Sequence, residues 1–213
     1  MIGILGGAFD PVHFGHLRPA LELHEALGLD TLLWIPTGQP AHRSPAQASK
    51  EQRLAMLELA IAPVSNWHID RRELERAGPA YMVDTLKELR AELGSDQPLC
   101  LLLGMDAFAG LPGWHRWQDL FALAHLVVSH RPGISLQALT REGPLAVLIQ
   151  QRQLVEIELL RQAPAGGIYF HPVTQLEISS TRLREIFVAG NDPRYLLPEK
   201  VLEYIRSKGL YQP

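Results

Sequence analysis

Two histidines that follow a glycine-rich turn are the residues of this sequence best suited to chemistry. The segment 3–17, GILGGAFDPVHFGHL, has an apolar run, then Gly6 and Gly7, then His13 and His16. Glycines let the backbone approach a ligand, and a helix start offers an anion free N–H groups and a positive dipole end. On a helix, side chains three residues apart face one spot. The pattern therefore predicts a phosphate site.

Other interpretations of this segment stay open at this point. Its spacing is neither G-x-G-x-x-G nor that of a P-loop, so those two phosphate motifs are excluded. A zinc site would need a third ligand, and none follows at a familiar spacing. A turn and helix cap with two partly exposed histidines is the purely structural alternative. The phosphate interpretation is favoured because open α/β sheets bind ligands at the carboxyl ends of their strands.

A second candidate anion site lies near the C-terminus, in the segment ISSTRLR that begins at Ile178. Ser179 and Ser180 are ordinary helix N-cap residues, and that role alone would explain them. Arg184 lies about one turn further along the predicted helix, where a guanidinium can bind two phosphate oxygens at once. This segment therefore favours a second phosphate-binding helix start.

Short apolar runs alternate with helical patterns along the chain. Most of the runs are continuous, which is typical of parallel strands buried on both faces. Ser49 and Gln52 form a capping-box pattern, and glycines at 28, 94, 190 and 209 fall where helices should end. The alternation predicts an α/β fold, a doubly wound, mostly parallel Rossmann-like sheet with helices on both faces. The predicted strands are 2–5, 31–35, 99–103, 125–129 and 167–170.

The domain organisation is predicted from the chain length, the composition and the positions of prolines and glycines. The 213 residues contain no repeat and no sharp change of composition, so we expect a single domain over 1–213. Residues 134–166 interrupt the alternation of strands and helices. They carry helical patches at 136–139 and 145–160, which suggests a helical insertion beside the sheet. Residues 36–47 hold three prolines and a glycine and predict a long, functional loop.

Composition excludes several classes of function. Twenty basic and 23 acidic residues give a net charge of −3, which argues against bulk binding of nucleic acid. No apolar run is long enough for a membrane helix, and the N-terminus lacks the pattern of a signal peptide. A single cysteine excludes an internal disulfide framework. We therefore expect a cytoplasmic protein with no membrane and no nucleic-acid partner.

The two phosphate motifs together carry a family resemblance. Residues 6–16 resemble the GGxFDPxHxGH motif, and residues 178–184 the ISxTxxR motif, of the nucleotidyltransferase α/β phosphodiesterase superfamily. Within it, the chain is similar to the nicotinate-mononucleotide adenylyltransferase family over nearly its full length, except 134–166. Supporting stretches are PAHR at 40–43, AYMVDTL at 80–86, GMDAF at 104–108, PGW at 112–114, HRPG at 130–133 and LLP at 196–198.

The resemblance implies transfer of the adenylyl group of ATP to nicotinate mononucleotide, which gives deamido-NAD and pyrophosphate with Mg²⁺ as cofactor. Catalytic roles fall on His13, His16 and Arg184. ATP-binding roles fall on Gly6, Gly7, Ala8, Phe9, Gly104, Asp106, Arg131, Ile178, Ser179 and Ser180. Mononucleotide-binding roles fall on His42, Arg43, Met82, Thr85, Asp106, Trp114 and His115. No protein-held metal is implied, and assembly into a homo-oligomer is left open.

Trp114 and Asp106 each have a structural alternative. Trp114 follows Pro112 and Gly113 and could anchor a loop to the core, whereas an indole is also well suited to stack on a pyridine ring. Asp106 follows an apolar run, where a carboxylate can bind ribose hydroxyls or cap a helix. Both residues therefore keep two interpretations at this stage.

Two residues depart from the family pattern. Ala41 replaces a proline in the loop before His42, and Met82 stands where the family has a threonine. Without that hydroxyl, recognition of the nicotinate carboxylate rests on backbone N–H groups, so an enzyme that prefers the amide is the nearest alternative. Pantetheine phosphate or a cytidylyl donor as substrate, a non-catalytic nucleotide sensor and a zinc-dependent hydrolase are the others.

Overall fold

The computed structural model describes residues 1–40, 46–130 and 143–212. In these ranges seven strands form one parallel sheet in the order β4-β2-β1-β6-β7-β9-β8, and β3 pairs with β5 in a small parallel ribbon. The strands are β1 Ile2–Gly7, β2 Thr31–Pro36, β3 Gln39–Pro40, β4 Trp67–Ile69, β5 Pro79–Ala80, β6 Leu99–Gly104, β7 His125–His130, β8 Gln153–Leu154 and β9 Ile168–Pro172.

The helices lie between the strands, as the alternating pattern predicts. They are α1 Phe14–Leu27, α2 Lys50–Ile61, α3 Arg72–Glu75, α4 Met82–Leu93, α5 Met105–Ala109, α6 Pro144–Arg152, α7 Ser180–Val188 and α8 Glu199–Ser207, with 3-10 turns at Leu111–Gly113, Trp117–Ala122 and Ile157–Arg161. The capping box of Ser49 and Gln52 is present at the start of α2. Gly28 ends α1 in the left-handed conformation, which a residue without a Cβ adopts freely.

The sheet is covered on both faces, so the predicted doubly wound fold is confirmed. Strand β6 shows why, because its neighbouring residues enter different cores. Leu99, Leu101 and Leu103 pack with α4, α5 and α6 on one face. Cys100 and Leu102 pack with α1, α2, α7 and α8 on the other. A strand buried on both sides needs the continuous apolar run that the sequence has.

Strand β1 lies between β2 and β6, and this position decides where a ligand can bind. Ile4 pairs with Leu33 on one side and with Leu101 on the other. The chain therefore winds outward in opposite directions from β1 and β6, and a crevice opens at their carboxyl ends. Gly7 ends β1 and Gly104 ends β6 at this crevice.

The structure corrects part of the sequence prediction. The helix predicted over 145–160 ends at Arg152, and Gln153–Leu154 then joins the edge of the sheet beside β9. This segment therefore extends the sheet, and the patch at 136–139 lies outside the described residues. Strand β4 was not predicted, because three residues are too few to show a periodicity. In the described ranges, no helix is both long and apolar enough to cross a membrane.

Candidate active site

The turn between β1 and α1 builds the first half of the site. Phe9 has a positive φ of 49°, so the backbone reverses tightly after Gly7. His13 is the extended N-cap residue of α1, and its carbonyl accepts from the backbone N–H groups of His16 and Leu17 at 2.9 and 3.1 Å. The predicted helix start near His16 is therefore confirmed, and α1 begins at Phe14.

The two histidines form a stacked pair. Their ring centroids are 3.8 Å apart with an angle of 30° between the planes, and the ring of Phe9 meets His16 edge-on at 5.3 Å. His13 is only 3% exposed. Burial and the neighbouring His16 lower its pKa to about 2, so the imidazole is neutral. Its buried Nδ1 has no hydrogen-bond partner in the described part of the chain.

Gly15 makes the close approach of three elements sterically feasible. A Cβ at this position would lie 2.9 Å from the ring of His13 and 2.9 Å from the backbone carbonyl oxygen of Ile178. Both distances are shorter than a normal carbon contact. The glycine of the HxGH segment is therefore required by the packing of the N-terminal motif against the C-terminal one.

The start of α7 builds the second half of the site. Ser179 is the N-cap residue, and its hydroxyl accepts from the backbone N–H of Arg182 at 3.1 Å. Ser180 donates from Oγ to the carbonyl of Pro11 at 2.9 Å. Arg184 donates from Nη1 to the carbonyl of Asp10 at 2.6 Å. Two segments some 170 residues apart in sequence therefore form one structural unit.

The crevice between these elements contains two adjoining cavities. The larger has a volume of about 450 Å³ and the smaller about 290 Å³, and His16 and Gly104 line both. The predicted residues on the wall of the larger cavity are His16, Gly104, Asp106, Ile178 and Ser179. Those on the wall of the smaller one are Gly6, Gly7, Ala8, His16, Met82, Gly104, Trp114 and His115.

Other predicted residues do not line a cavity. Phe9 and His13 are buried behind the wall, while Ser180 and Arg184 contact the β1–α1 turn. The predictions for His42, Arg43 and Arg131 fall outside the described residues.

The structure corrects the interpretation of Thr85 and one of the two interpretations of Asp106. Thr85 is 0% exposed, and its hydroxyl donates to Glu73 Oε1 at 2.8 Å and accepts from Arg76 at 3.1 Å. It lies one helical turn beyond Met82, so it supports the cavity from behind and does not line it. Gly104, not Asp106, is the N-cap residue of α5, so the capping alternative for Asp106 is wrong.

The position of Trp114 is compatible with both of its interpretations. The half-buried indole packs against the core beneath α4 and α5 and also lines the smaller cavity. Next to it, the rings of Tyr81 and His115 lie 4.3 Å apart. The smaller cavity therefore has an aromatic wall that suits a flat ring.

Two buried charged residues near the site, Arg53 and Glu73, were not predicted from the sequence. Arg53 is 2% exposed and donates to the carbonyls of Ala8 and Thr37, each at 2.7 Å, so it fixes the glycine turn against the end of β2. Glu73 lines the smaller cavity, and burial raises its pKa. A signal existed for Arg53, because its helical position continues the buried stripe of Met56, Leu57 and Ala60.

Asp10 of the first motif joins the β1–α1 turn to two distant parts of the chain. Its carboxylate accepts from the backbone N–H of Gln47 at 2.7 Å and of Ala48 at 3.1 Å. It also accepts from the hydroxyl of Tyr211 at 2.7 Å. A carboxylate that accepts three hydrogen bonds from two distant segments organises the site.

The fold and this geometry define a class. A glycine turn and two polar helix starts around the switch point of a parallel sheet form an α/β nucleotide-binding site of the nucleotidyltransferase type. The family model described as cytidylyltransferase-like matches residues 4–186. The chain belongs to this family and, within it, to the nicotinate-nucleotide adenylyltransferases, which confirms the resemblance carried by the two motifs.

The relatives that establish this membership are aligned over almost their full length. A probable nicotinate-nucleotide adenylyltransferase of Dechloromonas aromatica is 48% identical, with 99% of this chain and 97% of that protein covered. One of Methylococcus capsulatus is 49% identical, with 99% of both covered.

Solved structures share the fold. The Plasmodium falciparum nicotinic acid mononucleotide adenylyltransferase complexed with NaAD has a TM-score of 0.68 at 19% identity and covers 99% of this chain and 96% of its own. The same enzyme complexed with APC gives a TM-score of 0.67 at 17% identity, with coverages of 99% and 96%.

Proposed function

We propose that this protein transfers the adenylyl group of ATP to nicotinate mononucleotide, forming deamido-NAD and pyrophosphate. The observation that carries the proposal is the 2.6 Å hydrogen bond from Arg184 to the carbonyl of Asp10, because it brings the two phosphate motifs to one crevice. The names of full-length relatives at 48–49% identity supply the substrate. Both motifs lie in one crevice, which supports a single nucleotidyltransferase domain over 1–213.

The larger cavity is proposed to hold ATP. His16 and Ser179 line it, and Arg184 uses two of its five N–H groups on Asp10 and Thr181. The N–H on Nε is buried, and the remaining N–H groups on Nη1 and Nη2 are suited to phosphate oxygens. The single proton of the Ser180 hydroxyl is donated to Pro11, whereas the hydroxyl of Ser179 accepts a hydrogen bond and keeps its proton. Ser179 is therefore the serine we assign to a phosphate.

The reaction is a direct in-line displacement. A phosphate oxygen of the mononucleotide attacks the α-phosphorus of ATP, and the bond to the bridging oxygen of the leaving pyrophosphate breaks. The attacking phosphate is already ionised, so no strong base is required. The barrier arises from bringing anions together, and it is lowered by positioned hydrogen-bond donors and positive charge. We assign this role to His16, Arg184 and His13, of which the buried His13 is neutral.

The smaller cavity is proposed to hold the mononucleotide. Trp114 offers an aromatic face to the pyridine ring, and Met82 at the start of α4 lines the same wall. Because a methionine donates no hydrogen bond, backbone N–H groups must recognise the nicotinate carboxylate. The buried carboxyl of Glu73 on this wall would favour an amide N–H, so an enzyme that prefers the amide mononucleotide is the second candidate.

The donor set fits Mg²⁺ that is bound to ATP, not a metal held by the protein alone. The carboxylate of Asp10 is occupied by N–H and O–H donors. No group of three or more His, Cys, Asp or Glu among the described residues could hold a metal. Mg²⁺ typically binds through substrate phosphates and few protein ligands, and it would neutralise phosphate charge in this site.

The test is pyrophosphate release with ATP and Mg²⁺, comparing nicotinate mononucleotide with its amide at matched concentrations. Turnover that favours the acid is expected and would establish both chemistry and substrate. Turnover that favours the amide would retain the mechanism and replace the substrate. No turnover with either would refute the proposal and point to another phosphorylated acceptor, such as pantetheine phosphate, or to a nucleotide sensor.

A further inference from the structure

The last tyrosine of the sequence reaches back to the N-terminal motif. Tyr211 is buried, its ring packs 5.8 Å from that of Phe187, and its hydroxyl donates to Asp10 Oδ1 at 2.7 Å across 201 residues of sequence. A non-glycine residue with a φ of 59° is held there against its backbone preference. The burial, the ring contact and the hydrogen bond together indicate a role beyond filling space.

The hydroxyl completes the shell of donors around one carboxylate. Asp10 Oδ1 accepts from Tyr211 and from the N–H of Ala48, and Oδ2 accepts from the N–H of Gln47. Burial and the negative charge of Asp10 raise the pKa of Tyr211 above its usual range. The phenol therefore stays protonated and acts as a donor at any pH at which the protein works.

The same aspartate holds the arginine of the second phosphate motif. Arg184 Nη1 lies 2.6 Å from the carbonyl oxygen of Asp10 and 3.8 Å from its Oδ2. The guanidinium Nε is buried and has no hydrogen-bond partner within the described residues, so Asp10 and Thr181 supply the contacts that orient it. A shift of Asp10 would move the guanidinium directly.

We propose that Tyr211 is a positioning residue for nucleotidyl transfer, whose hydroxyl fixes Asp10 and through it the phosphate-facing geometry of Arg184. This inference rests on the proposed function, because it assigns Arg184 to the phosphates of ATP. The C-terminal segment thereby becomes a component of the active site and not only a cover for the core.

The experiment compares Tyr211→Phe with Tyr195→Phe. Both variants lose one hydroxyl and keep the ring, but Tyr195 is 85% exposed and serves as the control. We expect Tyr211→Phe to lower kcat roughly tenfold, because small misplacements of a binding group are costly. The KM for the mononucleotide should stay near that of the wild type, and Tyr195→Phe should match the wild type throughout.

A merely structural role is separated by two further measurements. Ile205→Val trims a buried methyl group from α8 and lowers the Tm without touching Asp10, so its kcat should stay unchanged. In an Arg184→Lys background, Tyr211→Phe should cause little further loss, because interacting residues are not additive. Additive losses, or equal kcat values for Tyr211→Phe and Ile205→Val, would overturn the inference.

Failure of the proposed function is distinguishable from failure of this inference. The affinity for inorganic tripolyphosphate, measured by titration calorimetry, does not depend on which mononucleotide is the substrate. Tyr211→Phe is expected to weaken it severalfold in the wild-type background and hardly at all beside Arg184→Lys. Unchanged affinity in Tyr211→Phe would overturn the positioning role even if the enzyme turns over, and weakened affinity would support it even if neither mononucleotide reacts.

Discussion

The imidazole rings of His13 and His16 stack with their centroids 3.8 Å apart, which is closer than their spacing of three residues alone predicts. Two imidazolium ions at this separation repel strongly when one of them is buried. The protein resolves this by keeping His13 neutral, with a pKa of about 2. His13 therefore supplies a neutral ring against which His16 stacks, and His16 reaches the cavities.

Replacing His16 by alanine should lower kcat by on the order of 10²–10³, the loss typical of a donor that acts in the transition state. The side chain lines both cavities, so little change in fold is expected. Steady-state kinetics with ATP and nicotinate mononucleotide measure the effect, and His68→Ala, at an exposed histidine of the edge strand β4, is the control. Near-normal turnover of His16→Ala would contradict its assigned role.

His13 should make the protein less stable in acid. Its pKa is about 2 in the folded protein and 6.5 in the unfolded chain, so above pH 6.5 both states are neutral and the histidine contributes no pH dependence. Below pH 6.5 only the unfolded chain binds the proton, and stability falls as the pH falls. From pH 7 to 5.5 this residue should remove about 1 kcal/mol.

Urea unfolding of the wild type and of His13→Asn at the two pH values measures this loss. The wild type should lose about 1 kcal/mol more than the variant between pH 7 and 5.5. His125, whose pKa burial also lowers, titrates in both proteins and cancels in the comparison. Equal pH dependence in the two proteins would show that His13 can accept a proton in the folded state.

Gly15→Ala should disable the site through packing. The new Cβ would lie 2.9 Å from both the His13 ring and the carbonyl oxygen of Ile178, and the backbone atom cannot rotate away. We expect kcat to fall by at least about tenfold, because the two phosphate motifs are pushed apart. Gly110→Ala, where the new Cβ would meet its nearest neighbour at 3.4 Å, should keep its activity. Full activity of Gly15→Ala would show that the motifs can separate at no cost.

Trp114→Ala should raise the KM for the mononucleotide far more than the KM for ATP. The indole lines the smaller cavity, and removal of an aromatic platform typically costs about 1–3 kcal/mol of stacking. Trp117→Ala is the matched control, because Trp117 packs on Phe121 in the same segment and lines neither cavity. An equal rise in both KM values for Trp114→Ala would instead indicate a general loss of folding.

Met82→Thr should increase the preference for the acid mononucleotide over the amide. The methionine lies at the first position of α4 on the wall of the smaller cavity, and a hydroxyl there could donate to a carboxylate. A gain of roughly fivefold to tenfold in the ratio of kcat/KM values corresponds to one added hydrogen bond. Competition assays with both mononucleotides measure the ratio, and an unchanged ratio would show that position 82 does not contact the pyridine substituent.

The sequence by itself determined the features that depend on neighbouring residues. The continuous apolar run at 99–103 identified a strand buried on both faces, and the Ser49 box and Gly28 marked helix ends that the structure retains. These signals are local, because strand burial and caps act within a few residues. The two phosphate motifs could be recognised for the same reason, because each is a short run of consecutive residues. They sufficed to identify the family.

Only the tertiary structure decided which residues support the motifs. Tyr211 meets Asp10 across 201 residues, Arg53 reaches the carbonyl of Ala8 across 45, and the hydroxyl of Thr85 turns to Glu73 instead of the cavity. Such contacts depend on the path of the whole chain around β1, and no local periodicity encodes them. A buried polar group must find its partner wherever the fold places one, so the network beneath the site emerges only when the two ends of the chain meet.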